Sequence, residues 1–325
     1  MKTYVAKALL SAATVLNAHA AVAADSAYPT KPIRVIVGFP PAGAADIFAR
    51  MLGQKLTTAW GQTVVVDNRP GAGSTLGSEI TANAVPDGHT LTVVSASYAT
   101  SAGLYAKQIK YHPIDSFIPI TLIASNPNVL LAHPSVAAKS VGELVAAAAA
   151  APGKFTLGSA GTGSITHLAG ELLASMAKIR FTHVPYKGGG PNFTALLGGE
   201  IQLSVTSIPA ALSGLQAQRV KALGVTSLQR SRVLPEVPTI AETGLPGYEA
   251  LNWYGLLAPA GVPTPITAKL YGEVSRILQM PDVVDILTRQ SADPSGMPSQ
   301  AFKKFLQVEI AKWAGAIKAA GVAAP

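Results

Sequence analysis

The sequence predicts an α/β protein of two doubly wound lobes, and three observations carry that prediction. Short, almost wholly apolar runs alternate with segments of helical period, as buried parallel strands covered by helices require. Gly-rich loops stand where such a run passes into a helix. The chain has 325 residues, enough for two domains with a core in each. Hydrophobic residues make up 49% against 13% charged, which excludes a disordered chain.

The elements follow in order. Ile33 to Phe39 is the first strand; Pro40-Pro41-Ala42-Gly43-Ala44-Ala45 follows, then a helix from near Asp46 that aligns Phe48, Met51, Leu52 and Leu56. Val64-Val65-Val66 is the next strand, with a loop from Asn68 to Ser74 and another helix behind it. Thr90 to Val94 is the third. A second set begins after about Ile123: strands at Phe155 to Gly158, Phe181 to Val184, Ile201 to Thr206 and Val220 to Val225. Ser159-Ala160-Gly161-Thr162-Gly163-Ser164 opens a helix striped by Leu168, Leu172 and Met176; further helices cover 191–197 and 209–217. Beyond a Pro-rich stretch, Leu234 to Pro246, helices are expected at 265–278, 283–290 and 299–319. This assigns 28–124 and 227–325 to lobe 1 and 125–226 to lobe 2, with hinges near Thr121 to Ser125 and Val225 to Ser227.

Residues 1–24 are set apart. Lys2 and Lys7 precede a short apolar run, Ala8 to Leu16, and small-residue sites such as Ala21-Val22-Ala23 follow. That order reads as a cleaved secretory leader and implies a periplasmic protein. No other run is long enough for a membrane span. The absence of Cys excludes a lipid-anchored start, zinc–thiolate sites and a Cys nucleophile. The net charge of +8 comes from scattered residues with only Lys303-Lys304 adjacent, which excludes a nucleic-acid footprint. It suits a mild attraction for small anions.

Three loops carry the candidate chemistry: Pro40 to Ala45 with Asp46, Pro70 to Gly77 with Gly73 and Ser74, and Ser159 to Ser164 with Thr162 and Gly163. Small residues let a ligand approach the backbone, and N–H groups at a helix start favour negative charge. At the carboxyl ends of an open α/β sheet such loops face a ligand cleft. None of them reads as a phosphate-binding or dinucleotide motif, no G-x-S-x-G elbow occurs, and no His pair has metal-ligand spacing. Asp46 suits a helix start, and His167 suits a structural role or one behind the ligand contacts. Tyr186, in Tyr186-Lys187-Gly188, offers a hydroxyl beside backbone donors. No cofactor, metal site or catalytic constellation is expected.

In order, these motifs resemble the Bug family, the substrate-binding components of tripartite tricarboxylate transporters. The resemblance rests on Pro32-Ile33-Arg34-Val35-Ile36-Val37 with Pro40-Pro41-Ala42-Gly43 and Asp46, on Asp67-Asn68-Arg69-Pro70-Gly71-Ala72-Gly73, and on Pro86-Asp87-Gly88-His89. It continues through Gly161-Thr162-Gly163-Ser164 with His167, Val184-Pro185-Tyr186-Lys187-Gly188, Leu234-Pro235-Glu236-Val237-Pro238 and Trp253-Tyr254-Gly255. It implies a type II periplasmic-binding-protein fold, a small organic-acid ligand held partly through water, a monomer, and a two-subunit membrane permease as partner. A sensor kinase in place of the permease, or an enzyme on the same fold, are the alternatives. Carried over, Pro40, Ala42, Gly43, Ala44 and Ala45 with Gly73 and Ser74 hold one end of the ligand, and Thr162, Gly163, Ser164 and Tyr186 the other. Where many relatives carry aspartates, this chain has Gln202 and Thr206, which implies a ligand without a free amine.

Overall fold

The computed structural model describes residues 28–323; the leader assigned to 1–24 lies outside them. The first half runs β1 (Ile33–Val37), α1 (Ala44–Trp60), β2 (Val64–Asn68), α2 (Thr75–Ala82), β3 (Thr90–Ser95) and α3 (Ser97–Leu104). A long strand, β4 (Phe117–Ala132), leads into the second half. There α4 (Val141–Ala150), β5 (Thr156–Ser159), α5 (Ile165–Ala177), β6 (Thr182–Pro185), α6 (Gly189–Gly198), β7 (Leu203–Ser207), α7 (Ile208–Gln216) and β8 (Lys221–Val225) follow. The chain returns through β9 (Leu251–Pro259), α8 (Thr264–Ile277), α9 (Pro281–Arg289), β10 (Asp293–Met297) and α10 (Ser299–Ala320).

In the first half β2, β1 and β3 are parallel neighbours; in the second, β6, β5 and β7 are. The sheet is nevertheless mixed. β9 runs antiparallel between β3 and β4, and β4 runs antiparallel to β7, β8 and β10. β4 thus belongs to both halves: its ladder passes from β9, up to Pro127↔Leu251, to β7, from Asn128↔Ser207. Proline has no N–H for a ladder, and Pro127 sits where one partner strand gives way to the next. The second crossing is at Thr226, whose N–H donates to the Asn128 carbonyl at 2.9 Å.

Helices cover both faces and bury three apolar clusters. One lies within the first half around Phe48, Leu91 and Ile120, and one within the second around Leu196 and Ile201. The third joins them: Tyr98 and Phe117, Leu157 and Leu168, and Trp253, Phe302 and Trp313 form one continuous core. Helix α10 brings the last two of these, and the indoles of Trp253 and Trp313 both donate to Glu309 Oε2, at 2.9 and 3.0 Å. A buried carboxylate needs such donors, and here they pin α10 to β9.

Candidate functional site

Parallel strands β1 and β3 end at Val37 and Ser95, and β5 and β7 end at Ser159 and Ser207, so the carboxyl ends of both halves turn toward the crossing strands. The Gly-rich loops leave from these ends. A Cβ on Gly38 would lie 2.3 Å from the Ser74 Cβ, so only glycine lets the first two loops pack together. The Ser101 hydroxyl donates to the Gly73 carbonyl at 2.8 Å, tying the second loop to α3. At the far end of α3, a Cβ on Gly163 would come within 2.7 Å of Leu104 Cδ2. There the loop of the second half meets the first.

The first loop is fixed from behind. Ala42 takes a left-handed φ of 68°, and its N–H donates to Asp46 Oδ2 at 3.0 Å. Asp46 also accepts from Arg50 Nε at 2.9 Å and Asn68 Nδ2 at 2.9 Å, and it is buried. The Arg50 hydrogen bond, with those from Ala42 and Asn68, holds its carboxyl below the usual carboxylate range despite burial. Asp46 therefore builds the loop, and it is not among the residues that wall the neighbouring cavity. Gly43 precedes α1 without a side-chain cap, so the first-turn N–H groups have no internal partner of that kind.

Those N–H groups open onto a cavity of about 320 Å³ walled by Pro40, Gly43, Ala44 and Ala45, by Ser95 at the end of β3 and Ser97 at the start of α3, and by Asn252 and Tyr254 of β9. Burial pushes the Tyr254 phenol up to about 12, so it stays a neutral hydroxyl able to donate to an anion. Among the described residues no charged side chain stands in this wall. An anion would be held by backbone dipoles and hydroxyls, as at other helix starts.

In the second half, Ser164 caps α5 by accepting from the His167 N–H at 3.2 Å and donates its hydroxyl to the Gly161 carbonyl at 2.7 Å. The Gly163 N–H donates to His167 Nδ1 at 3.1 Å. His167 stacks on His183, with ring centroids 3.7 Å apart, and His183 Nε2 lies 2.7 Å from the Ser159 hydroxyl. Burial first, and the neighbouring His167 second, lower the His183 pKa to about 4. Thr162 at the loop's tip is exposed.

The structure brings most of the expected residues together. Pro40, Gly43, Ala44 and Ala45 wall the cavity, with Ala42 and Asp46 behind them. Gly73 and Ser74 lie beneath the first loop; the Ser74 hydroxyl is buried without a hydrogen-bond partner among the described residues. Ser159, Thr162, Gly163 and Ser164 form the facing loop, and Tyr186 joins it by donating its N–H to the Ser159 carbonyl at 3.0 Å. The Tyr186 ring is half-buried against the second-half core. Thr206 is buried, its hydroxyl 2.7 Å from that of Ser204. Gln202 is a correction. It precedes β7, and its Oε1 accepts from the Thr156 N–H at 3.1 Å at the start of β5, the end of the sheet away from the cleft. Its identity therefore says nothing about an amine on the ligand.

Asn252 and Tyr254 were missed as site residues. Their signal was available: they alternate on one strand, and Tyr254 lies in a motif that carried the family resemblance. Among the described residues no cluster of His, Asp or Glu could hold a metal ion. A second cavity, of about 410 Å³, lies at the crossing segments among Ser125, Ser227, Arg230, Arg232, Glu249 and Asp293. It holds none of the Gly-rich loops, and Arg230 is already paired with Glu242 at 3.1 Å.

Known proteins resemble this chain throughout. Residues 48–322 match the tripartite tricarboxylate transporter family receptor. Rpa4515 of R. palustris, solved with adipate, is 32% identical, with a TM-score of 0.77 over 91% of this chain and 99% of that one. MatC from Rhodopseudomonas palustris, with bound malate, is 33% identical, with a TM-score of 0.73 over 89% of this chain and 100% of its own. The periplasmic binding protein BugD is 32% identical, with a TM-score of 0.74 over 91% of this chain and 99% of that one. The expected two-lobed periplasmic-binding fold is the fold of these structures.

Proposed function

The chain belongs to the tripartite tricarboxylate transporter receptor family, and on that premise we propose that it captures a small carboxylate between its two halves without transforming it. The observation that carries this reading is the uncapped start of α1, opening onto a cavity with hydroxyls and an asparagine but no charged side chain. A carboxylate is satisfied there by N–H groups and the Tyr254 hydroxyl, while Thr162 and the start of α5 close from the other half. The solved relatives with adipate and malate support the same ligand class. The site pairs no nucleophile with a base in the cavity wall, which supports a receptor rather than an enzyme. The leader at 1–24 supports export to the periplasm, and the family supports delivery to a two-subunit permease.

The test is a melting experiment on refolded, ligand-free protein with dicarboxylates, monocarboxylates and amino acids. A ligand at a hundred times its dissociation constant stabilises by about 2.7 kcal/mol, a clear rise in Tm. A rise confined to carboxylates is the expected result. No rise with any of them would overturn the reading.

A further inference from the structure

We propose that the stacked His167–His183 pair is the positioning element of the second-half loop and ties its grip on an anion to the charge on the two rings. This deepens the capture reading and rests on it. Neither imidazole lines the cavity of the first loop. They act through the backbone.

The loop's N–H groups are almost all committed. Ala160 donates to Thr166 Oγ1 at 3.0 Å, Gly161 to Ser159 Oγ at 3.2 Å, Gly163 to His167 Nδ1 at 3.1 Å, and Ser164 to the Gly161 carbonyl at 3.1 Å. Among the described residues, the Thr162 N–H has no such partner and is left to face a ligand. Two of the four committed donors depend on the imidazoles, one directly and one through Ser159, which touches His183 Nε2. Acceptance by Nδ1 fixes His167 as the neutral tautomer with its proton on Nε2, which points to Glu171 Oε1 at 3.5 Å.

Protonation breaks this arrangement. A second proton on His167 sets an N–H against the Gly163 N–H at hydrogen-bond distance, and one buried bond becomes a repulsion. Two cations cannot face each other at 3.7 Å, so the stack accepts at most one charge. Among the described residues, the carboxylate in ion-pair range of the stack is Glu171 on α5 itself, which faces His167. Arg180, ahead of β6, opens onto the same cavity as Glu171, and α10 contributes only Ala319 and Ala320 to that wall. The low His183 pKa agrees with a pair built to stay neutral. An imidazolium would also attract an anion, but that attraction is screened and falls with distance, whereas the donor–donor clash acts at contact. Affinity therefore falls as the rings take up protons.

The experiment has a ligand-free arm and a binding arm. In the first, ¹⁵N spectra of wild type follow the Gly163 amide and the His167 ring nitrogens from pH 7.5 to 5. The expected result is an unprotonated Nδ1 at the upper limit and a Gly163 amide that loses exchange protection in step with His167 titration. A Gly163 amide indifferent to His167 overturns the proposal. In the second arm, malate and adipate are titrated by calorimetry into wild type, His167→Ala, His167→Asn and the double variant His167→Asn/His183→Gln. The Asn carbonyl can replace Nδ1 as acceptor but does not titrate, so His167→Asn should hold affinity within about threefold at pH 7.5, where His167→Ala loses about tenfold. As the pH is lowered from 7.5 to 5, affinity should fall further in wild type than in the double variant, which carries neither ring. Parallel pH curves overturn the proposal. If neither acid binds wild type while Gly163 still follows His167, the capture reading fails and the assignment of the loop's positioning element stands.

Discussion

The two loops that face each other across the cleft are built by one device with two different acceptors. In each, a backbone N–H at the loop donates to a side chain four residues on, in the first turn of the following helix: Ala42 to Asp46 in the first half, Gly163 to His167 in the second. The first acceptor is a carboxylate whose charge is secured by Arg50 and Asn68. The second is a neutral imidazole stacked on another. The same geometry is thus locked by a fixed charge on one side of the cleft and by a titratable ring on the other. One wall is insensitive to mild acid and the other is not.

Breaking the charged lock has the largest expected effect. Asp46→Ala removes three hydrogen bonds to a buried carboxylate, each charge-assisted or made to a backbone donor, and leaves the Ala42 N–H without an acceptor. A loss of about 3 kcal/mol is expected, read as a lower urea midpoint at unchanged slope. Carboxylate affinity should fall with it, although Asp46 is not among the residues that wall the cavity. A midpoint within error of wild type would remove the first half of the comparison.

Backbone strain gives the next effect, with opposite signs on the two sides. Gly163 holds φ 78°, and an added Cβ would meet Leu104 Cδ2 at 2.7 Å, so Gly163→Ala is expected to cost about 2 kcal/mol. Ala42 holds φ 68° with a side chain already there. Ala42→Gly relieves a left-handed residue and should stabilise by about 0.5 kcal/mol after the extra chain entropy of glycine. Equal losses in both variants would mean that the αL turn of the first loop carries no strain.

Much of this comparison was legible in the sequence, and what was not has physical causes. The apolar runs before Pro40, Asn68 and Ser159 located β1, β2 and β5 and hence the loops, because buried parallel strands and Gly-rich turns both leave strong local signals. Strand β4 left none: Pro119 and Pro127 interrupt its pattern, and their sites, a register shift and the change of partner strands, exist only in the assembled sheet. The same long-range origin hid Asn252 and Tyr254, which reach the cavity from a strand that returns some 150 residues after β3. His167 was expected in a structural role or one behind the ligand contacts, but its stacking on His183 depends on β5 pairing with β6 and could not be read from spacing. Gln202 was misplaced because the direction of a side chain at a strand start depends on which end of the sheet is the cleft.

Mild acid separates the two locks next. The folded-state pKa of His183, about 4, lies below its ordinary value near 6.5, so the folded chain binds fewer protons between those limits than the unfolded one. Its contribution is complete above about pH 6.5 and declines as pH falls toward 4. Asp46 has the opposite kind of group and also a lowered pKa, so its contribution is complete above the ordinary carboxylate value near 3.9 and is lost only below it. At pH 5 the first lock keeps its full contribution, while the second has lost part of its own because the unfolded chain takes up the proton that the folded one refuses. Between pH 7 and 5 the wild type should lose about 1 kcal/mol that His183→Gln does not, the figure being reduced because the ring is only half-buried. Identical pH slopes would erase the difference between the locks.

The smallest effect is expected where the sequence reading placed a ligand contact and the fold does not. Gln202 lies at the start of β7, bonded through its side chain to the Thr156 N–H and through its own N–H to Thr156 Oγ1. Gln202→Ala loses one neutral hydrogen bond at a partly exposed site, about 1 kcal/mol at most. Five residue steps separate it from Ser207 at the cleft end of β7, about 17 Å at the rise of a β-strand. No change in affinity for any carboxylate should cross that distance, because nothing in the loop at Ser159 to Ser164 leans on Gln202. A calorimetric titration that showed Gln202→Ala weakening one acid and not another would put this residue back into the cleft. It would require the second half to turn its other end toward the ligand, and the facing pair of loops would then no longer be the site.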